Sequence, residues 1–438
     1  MPVTTAFWCE RLCIGGGVWN RVLLRCDENG MLTERTRNVD PPPDAYRLPG
    51  LVFPGFANAH SHAFHRMLRG RTHTHFKSFW KWREAMYQVA GELNPDSYYQ
   101  LARLVYAEMV QAGYTCVGEF HYLHHQPDGT PYADPNAMGL ALIEAARDAG
   151  IRITLLDTLY LTGGLDQTGY QPLSELQLAF GDGDVATWFD RVAKLGEDDN
   201  TRIGTALHSI RAVPADALPE FAEYTKGKPV HAHLSEQPAE NEACQEFHGC
   251  SPTELLSRNG VLSRHFTAVH ATHVSDVDIQ LLRAGDCRVC FCPTTEADLA
   301  DGIGPALELF GCVGSDQHAV IDPFAELRAL EYGERLRSGE RGRLSPGHLV
   351  ATATSGGYGS LGWDSGRFLW NGPCDLVAVR TDTPRTAGSD PDQLVMVASA
   401  SDVDTVVVGG RIVVRDGRHE TVDVGAGLAA LIDGWWDR

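Results

Sequence analysis

Between about residue 50 and residue 318 the chain repeats one phrase: a short β-branched or apolar run, a polar loop, then a helical stretch closed by glycine. This is the grammar of alternating strands and helices. Eight candidate strands can be counted: Leu51–Ala59, Thr115–Phe120, Ile151–Leu156, Arg202–Leu207, Pro229–Leu234, Phe266–Val269, Arg288–Cys292 and Cys312–Gly314. Eight parallel strands with intervening helices close a (β/α)8 TIM barrel, which carries its site at the C-terminal ends of the strands. The clearest helix opens at Asn94-Pro95, a cap followed by proline in the first turn, and keeps Tyr98, Leu101, Val105 and Met109 on one face until Gly113.

The two ends of the chain read differently. Val18 to Thr33 is expected to form two strands joined by Glu28-Asn29-Gly30, and Thr405 to Arg415 two strands joined by Gly409-Gly410. Together they predict a small β-sandwich domain built from both termini, residues 1–50 and 368–438, around a barrel at 51–367. With 43% hydrophobic and 21% charged residues, a disordered or fibrous chain is excluded. The net charge of -20 repels polyanions, so neither nucleic acid nor an anionic membrane surface is an expected partner. No run approaches the ~20 apolar residues of a membrane span, and the first residues lack the pattern of a signal peptide. Eleven scattered cysteines suit reduced thiols in the cytoplasm better than a disulfide framework. Cys287, Cys290 and Cys292 read as core residues within a strand rather than as a zinc knuckle.

Several candidate strands end in residues that carry chemistry. His60 and His62 follow the first, His208 the fourth, Ser235 and Glu236 the fifth, and Asp316 the eighth; His233 lies within the fifth, and His273 follows the sixth. Two histidines two residues apart on an extended segment can aim both imidazoles at one ion. Imidazoles with one carboxylate suit Zn2+ or Fe2+, and the lack of a carboxylate cluster argues against Mg2+ or Ca2+.

This arrangement resembles the amidohydrolase superfamily, and the likeness covers nearly the whole chain. The resemblance implies that His60, His62, His233 and Asp316 are metal ligands. It further implies that Glu236, His273 and Asp316 do the acid and base work, as in the mononuclear deaminase branch. Binuclear relatives bridge two metals with a carboxylated lysine after strand four. None of the five lysines here, Lys77, Lys81, Lys194, Lys226 and Lys228, ends a candidate strand, which favours one metal per chain.

Longer motifs narrow the likeness to deiminases of small anionic amidines. They include His60-Ser61-His62-Ala63-Phe64, Phe79-Trp80-Lys81-Trp82-Arg83, Glu119-Phe120-His121-Tyr122, His208-Ser209-Ile210-Arg211 and Thr295-Glu296-Ala297-Asp298-Leu299-Ala300-Asp301-Gly302. A substrate with two carboxylates and a cationic amidine needs donors at one end and a carboxylate at the other. Arg211 and Arg83 are the expected anchors, with Tyr122, His208 and His65 beside them. His65 stands where some family members have glutamine. A nucleobase deaminase is the alternative within this branch, and two arginine anchors count against it. A non-catalytic barrel would have lost a ligand or an acid/base residue, and all are present. Barrels of this superfamily often dimerise, so the resemblance also implies a homodimer.

Overall fold

The computed structural model describes residues 5–15, 17–72, 79–363 and 372–437. Among them, eight parallel strands form one sheet in chain order: Phe56–Ser61, Tyr114–His121, Arg152–Leu159, Thr201–Leu207, Val230–Leu234, Phe266–His270, Arg288–Phe291 and Gly311–Val313. We refer to them as barrel strands one to eight. The barrel closes where Ser61 pairs with Asp316, beyond the end of the eighth strand. There the Asp316 amide donates to the His60 carbonyl at 3.0 Å, and the His62 amide to the Asp316 carbonyl at 3.3 Å. The seam of the barrel is therefore made by the residues singled out as metal ligands. Gly314 is required beside it, since a Cβ there would lie 2.7 Å from the His60 Cβ and 2.8 Å from its amide nitrogen.

The first strand does not run unbroken from Leu51 to Ala59. Tyr46–Pro54 belongs to a different sheet, and the barrel strand begins only at Phe56. Pro54 and Gly55 lie at the break. Tyr46–Pro54 pairs parallel with Ala6–Ile14 and antiparallel with Leu376–Val379, so its ladder is already taken on both edges. The helix opening at Asn94 runs Pro95–Gln111, with the Asn94 side chain accepting from the Ser97 amide.

The termini combine into one mixed sheet of eight strands, with Ala6–Ile14 and Gly17–Cys26 from one end and Leu376–Val379, Val403–Val408 and Arg411–Arg415 from the other. Its residues alternate in period two between faces. Phe7, Val22, Leu24, Val52, Leu376 and Val407 form a small core of their own, while Leu51, Phe53, Val377 and Val406 join the main core under the barrel. The expected domain boundary at 367/368 lies outside the described residues. All eleven cysteines are free and buried, Cys287, Cys290 and Cys292 among them. No described helix is long and apolar enough to cross a membrane.

Candidate metal centre and active site

Each group at the mouth of the barrel arrives there because a strand runs out beneath it. His60 is the next-to-last residue of strand one, and His62 sits one residue beyond that strand. His233 is the fourth residue of strand five, and Asp316 takes a left-handed φ of 43° just past strand eight. One ligand atom from each of these four buried residues lies within 4.8 Å of the others. The His60 and His233 Nε2 atoms are 3.2 Å apart, and Asp316 Oδ1 is 3.4 Å from Nε2 of both His60 and His62.

The hydrogen bonds behind the rings fix what those nitrogens present. His62 Nδ1 donates to the Phe120 carbonyl at 3.0 Å, and His233 Nδ1 to the His208 carbonyl at 3.0 Å. Their Nε2 atoms therefore carry lone pairs aimed at a common point. Burial, the largest influence, holds the His60, His62 and His233 imidazoles below their ordinary pKa, His62 at about 3. Converging lone pairs on rings that resist protonation repel one another unless a cation lies between them, so the donor set fits a metal ion.

The base of this cage is tied from below. Ser61, facing opposite to its histidine neighbours, donates to Glu119 Oε2 at 2.6 Å, and the Ala63 amide donates to Oε1 at 2.6 Å. Burial outweighs these bonds and raises the Glu119 carboxyl to about 7. Asn58 links strands one and eight, donating to Ser315 Oγ and accepting from the Ser315 amide.

His270, not His273, stands beside the cage. Strand six ends at His270, which adopts a φ of 69° and places Nε2 at 3.7 Å from Glu236 Oε1 and 3.8 Å from Asp316 Oδ2. Its Nδ1 faces Glu296 Oε1 at 3.3 Å. Burial acts against the imidazolium, but Glu236, Glu296 and Asp316 outweigh it and lift the pKa to about 10. His273 is three residues further on, half-buried, with its carbonyl accepting from Asn241. The strand-end rule that locates the ligands also points to His270, because the sixth candidate strand stops at Val269. Glu296 carries no strand-end signal, since it reaches His270 from the helix Pro293–Asp298 that follows strand seven.

The remaining candidates form the wall of the site. His65 Nε2 lies 3.2 Å from the Tyr122 hydroxyl, and both rings flank His62 at 4.5 and 5.3 Å between centroids. His208 packs against His233 and Tyr160. Arg83 donates to the Tyr87 hydroxyl, and Gln177 joins Tyr87 to Tyr160, so Arg83 connects to the His208 side of the wall. Arg211 arrives already paired: its Nε donates to Glu240 Oε2 at 2.9 Å, and one terminal nitrogen is 3.6 Å from Glu236 Oε2. Glu240 also accepts from the Ser235 amide, steadying the left-handed turn that presents Glu236. Of the lysines, Lys77 lies outside the described residues, and the other four are exposed or half-buried, away from the buried ligand cluster. A second group, His121, His124 and Asp157, is closed to a metal because Arg191 and Trp188 already saturate the Asp157 carboxylate.

A parallel eight-stranded barrel that gathers three imidazoles and an aspartate at its strand ends, with a histidine and a glutamate alongside, is built as a metal-dependent hydrolase. The amidohydrolase family profile matches residues 51–413, and the chain belongs to that family. It is 36% identical over 439 residues to a formimidoylglutamate deiminase of Pseudomonas aeruginosa, covering 95% of this chain and 96% of that protein. It is also 29% identical over 389 residues to a 5-methylthioadenosine/S-adenosylhomocysteine deaminase of Natronomonas pharaonis, covering 86% and 84%. Among solved structures, an amidohydrolase from Brucella melitensis superposes with a TM-score of 0.90 at 29% identity, covering 99% of this chain and 100% of that one.

Proposed function

We propose that the chain hydrolyses N-formimidoyl-L-glutamate to N-formyl-L-glutamate and ammonia, a step of histidine degradation. The observation that carries this reading is the pairing of one mononuclear metal cage with Arg211 and the His65–Tyr122–His208–Arg83 wall. That combination suits a small substrate with two carboxylates and an amidine. The relationship to the Pseudomonas aeruginosa deiminase supports it.

In this reading His60, His62, His233 and Asp316 hold one Zn2+, or Fe2+, per chain. The ion supplies Lewis acidity and brings the pKa of water down from ~15.7 toward ~7. Asp316 accepts the water's proton, while His270, an imidazolium held toward the site by Glu296, faces Asp316 as a donor. Glu236, within reach of His270, carries a proton to the nitrogen that leaves as ammonia when the C–N bond breaks. Arg211 takes one substrate carboxylate; Arg83, Tyr122, His208 and His65 receive the other. The enzyme works in the cytoplasm as a homodimer; the buried free thiols support that compartment.

The test is ammonia release from N-formimidoyl-L-glutamate by zinc-loaded protein, with a chelated sample alongside. Metal-dependent release is expected. Protein that holds about one equivalent of metal yet releases no ammonia from this substrate would refute the assignment.

A further inference from the structure

One buried carboxyl at the mouth of the barrel has no cation to match it. Asp301 lies in the loop that follows barrel strand seven and is 3% exposed. Gln237, the neighbour of Glu236, donates to its Oδ1, while Oδ2 is buried with no hydrogen-bond partner. Among the described residues no arginine, lysine or histidine stands within ion-pair distance of it. The loop is fixed rather than draped. The Asp301 amide donates to the Glu296 carbonyl, and Gly302, at a φ of 129°, runs so close to Thr272 that a Cβ would meet its methyl at 3.1 Å. Burial, with the nearby carboxylates of Glu236, Glu296 and Asp316, raises its pKa to about 9, against the opposing pull of the His270 imidazolium. A carboxyl in that state lacks a counter-charge.

Counting charges around the site gives the same result. Arg211 is matched by Glu240. With Asp301 ionised, as a cation beside it would make it, that leaves the carboxylates of Glu236, Glu296, Asp301 and Asp316 against the imidazolium of His270 and, when it is bound, one divalent ion. The sum is one net negative charge, so one positive charge is missing. The substrate proposed above carries one positive charge, on its protonated formimidoyl group, with N–H donors along its edge.

We propose that Asp301 is the counter-ion for the cationic amidine and the residue that selects it over a neutral amide. This inference rests on the deiminase reading. Asp301 Oδ2 accepts an N–H of the amidinium, while Gln237 holds the other oxygen. Hydrolysis replaces the amidinium with a neutral formyl amide, so the attraction is lost as product forms and the product is released.

The test compares two ligands that differ only at this group, N-formimidoyl-L-glutamate and N-formyl-L-glutamate. Binding to zinc-loaded protein is measured by calorimetry in a Glu236→Gln background, which stops turnover, with and without Asp301→Asn. The formimidoyl ligand should bind on the order of 10- to 100-fold more weakly when Asp301 is replaced, the value of a lost charged hydrogen bond, while the formyl ligand shifts by less than about threefold. Equal weakening of both ligands, or of neither, overturns the proposal. Asp301→Ser, which keeps a small polar group, is measured in parallel so that the result does not depend on one variant folding. Native protein that releases no ammonia from the formimidoyl substrate overturns the deiminase reading, and this inference with it. Native protein that turns over, with discrimination unchanged in the variants, overturns this inference alone.

Discussion

The contact that joins the terminal sheet to the barrel makes the most quantitative prediction. Arg152 opens barrel strand three and meets Asp375, just before Leu376–Val379, with two bonds of 3.0 Å. Their side chains are 4% and 5% exposed. Asp375 also accepts from the Tyr358 hydroxyl at 2.8 Å and the Gly409 amide at 2.7 Å. Asp375→Asn keeps the shape and an acceptor for Gly409 but leaves the guanidinium charge buried without its counter-charge. Breaking one half of such a pair costs about 3–5 kcal/mol. Unfolding entropy of ~2.1 cal/mol/K per residue gives this chain about 0.9 kcal/mol/K, so the loss lowers Tm by roughly 3–5 °C. Arg152→Met added to Asp375→Asn removes the stranded charge and should recover on the order of 2 kcal/mol. The assay is urea unfolding and scanning calorimetry of parent, both single variants and the double variant, with metal content as control. Metal content should not change, because the pair sits at the opposite end of strand three from the cage. A single variant that loses less than about 1 kcal/mol, or a double variant no more stable than Asp375→Asn alone, would show that the charge pair is not what fixes the sheet.

Two further outcomes follow from the site. Glu236→Gln should hold metal as the parent does, by elemental analysis, because Glu236 is not among the four ligands, while ammonia release falls by 10²-fold or more; retained turnover removes Glu236 from its proton-transfer role. Glu119 tests the pH dependence of stability. Its folded pKa of about 7 lies above the usual 4.5, so the folded state binds the extra proton and the group's contribution is complete below about pH 4.5 and lost as pH rises through 7. Glu119→Gln cannot ionise, so between about pH 4.5 and pH 8 its stability should gain on the parent's by up to about 3 kcal/mol in metal-free urea unfolding. A constant gap across that range would place the carboxyl's folded pKa near its ordinary value.

The parts of this molecule that were legible in the sequence are those in which a local rule and a long-range position coincide. His60, His62, His233 and Asp316 could be picked out because each lies at or near a strand's C-terminal end, and a barrel brings all such ends to one rim. The terminal sheet was legible because its hairpins announce themselves in Glu28-Asn29-Gly30 and Gly409-Gly410. The break at Pro54 was not, because an apolar run reads the same whether one sheet or two share it. What pairs Arg152 with Asp375 across 223 positions, or His65 with Tyr122, is a contact that no local pattern encodes. His270 shows the limit most plainly. Two histidines share the segment Val269-His270-Ala271-Thr272-His273, and the choice between them turns on which one still belongs to the strand. The left-handed backbone at His270 and Ala271 then carries the chain away, so that only the first ring remains facing Glu236 and Asp316. Such backbone costs about 1–3 kcal/mol per residue and persists where surrounding contacts fix it. Here Ser235, His270, Ala271 and Asp316 all adopt it around a single cage. The strain is concentrated at the groups proposed to move protons; Glu240, which accepts from the Ser235 amide, and Glu296, which faces His270, both sit in the first turns of helices that follow barrel strands. The chemistry of this rim thus depends on helix-borne carboxylates that stand behind the residues that perform it.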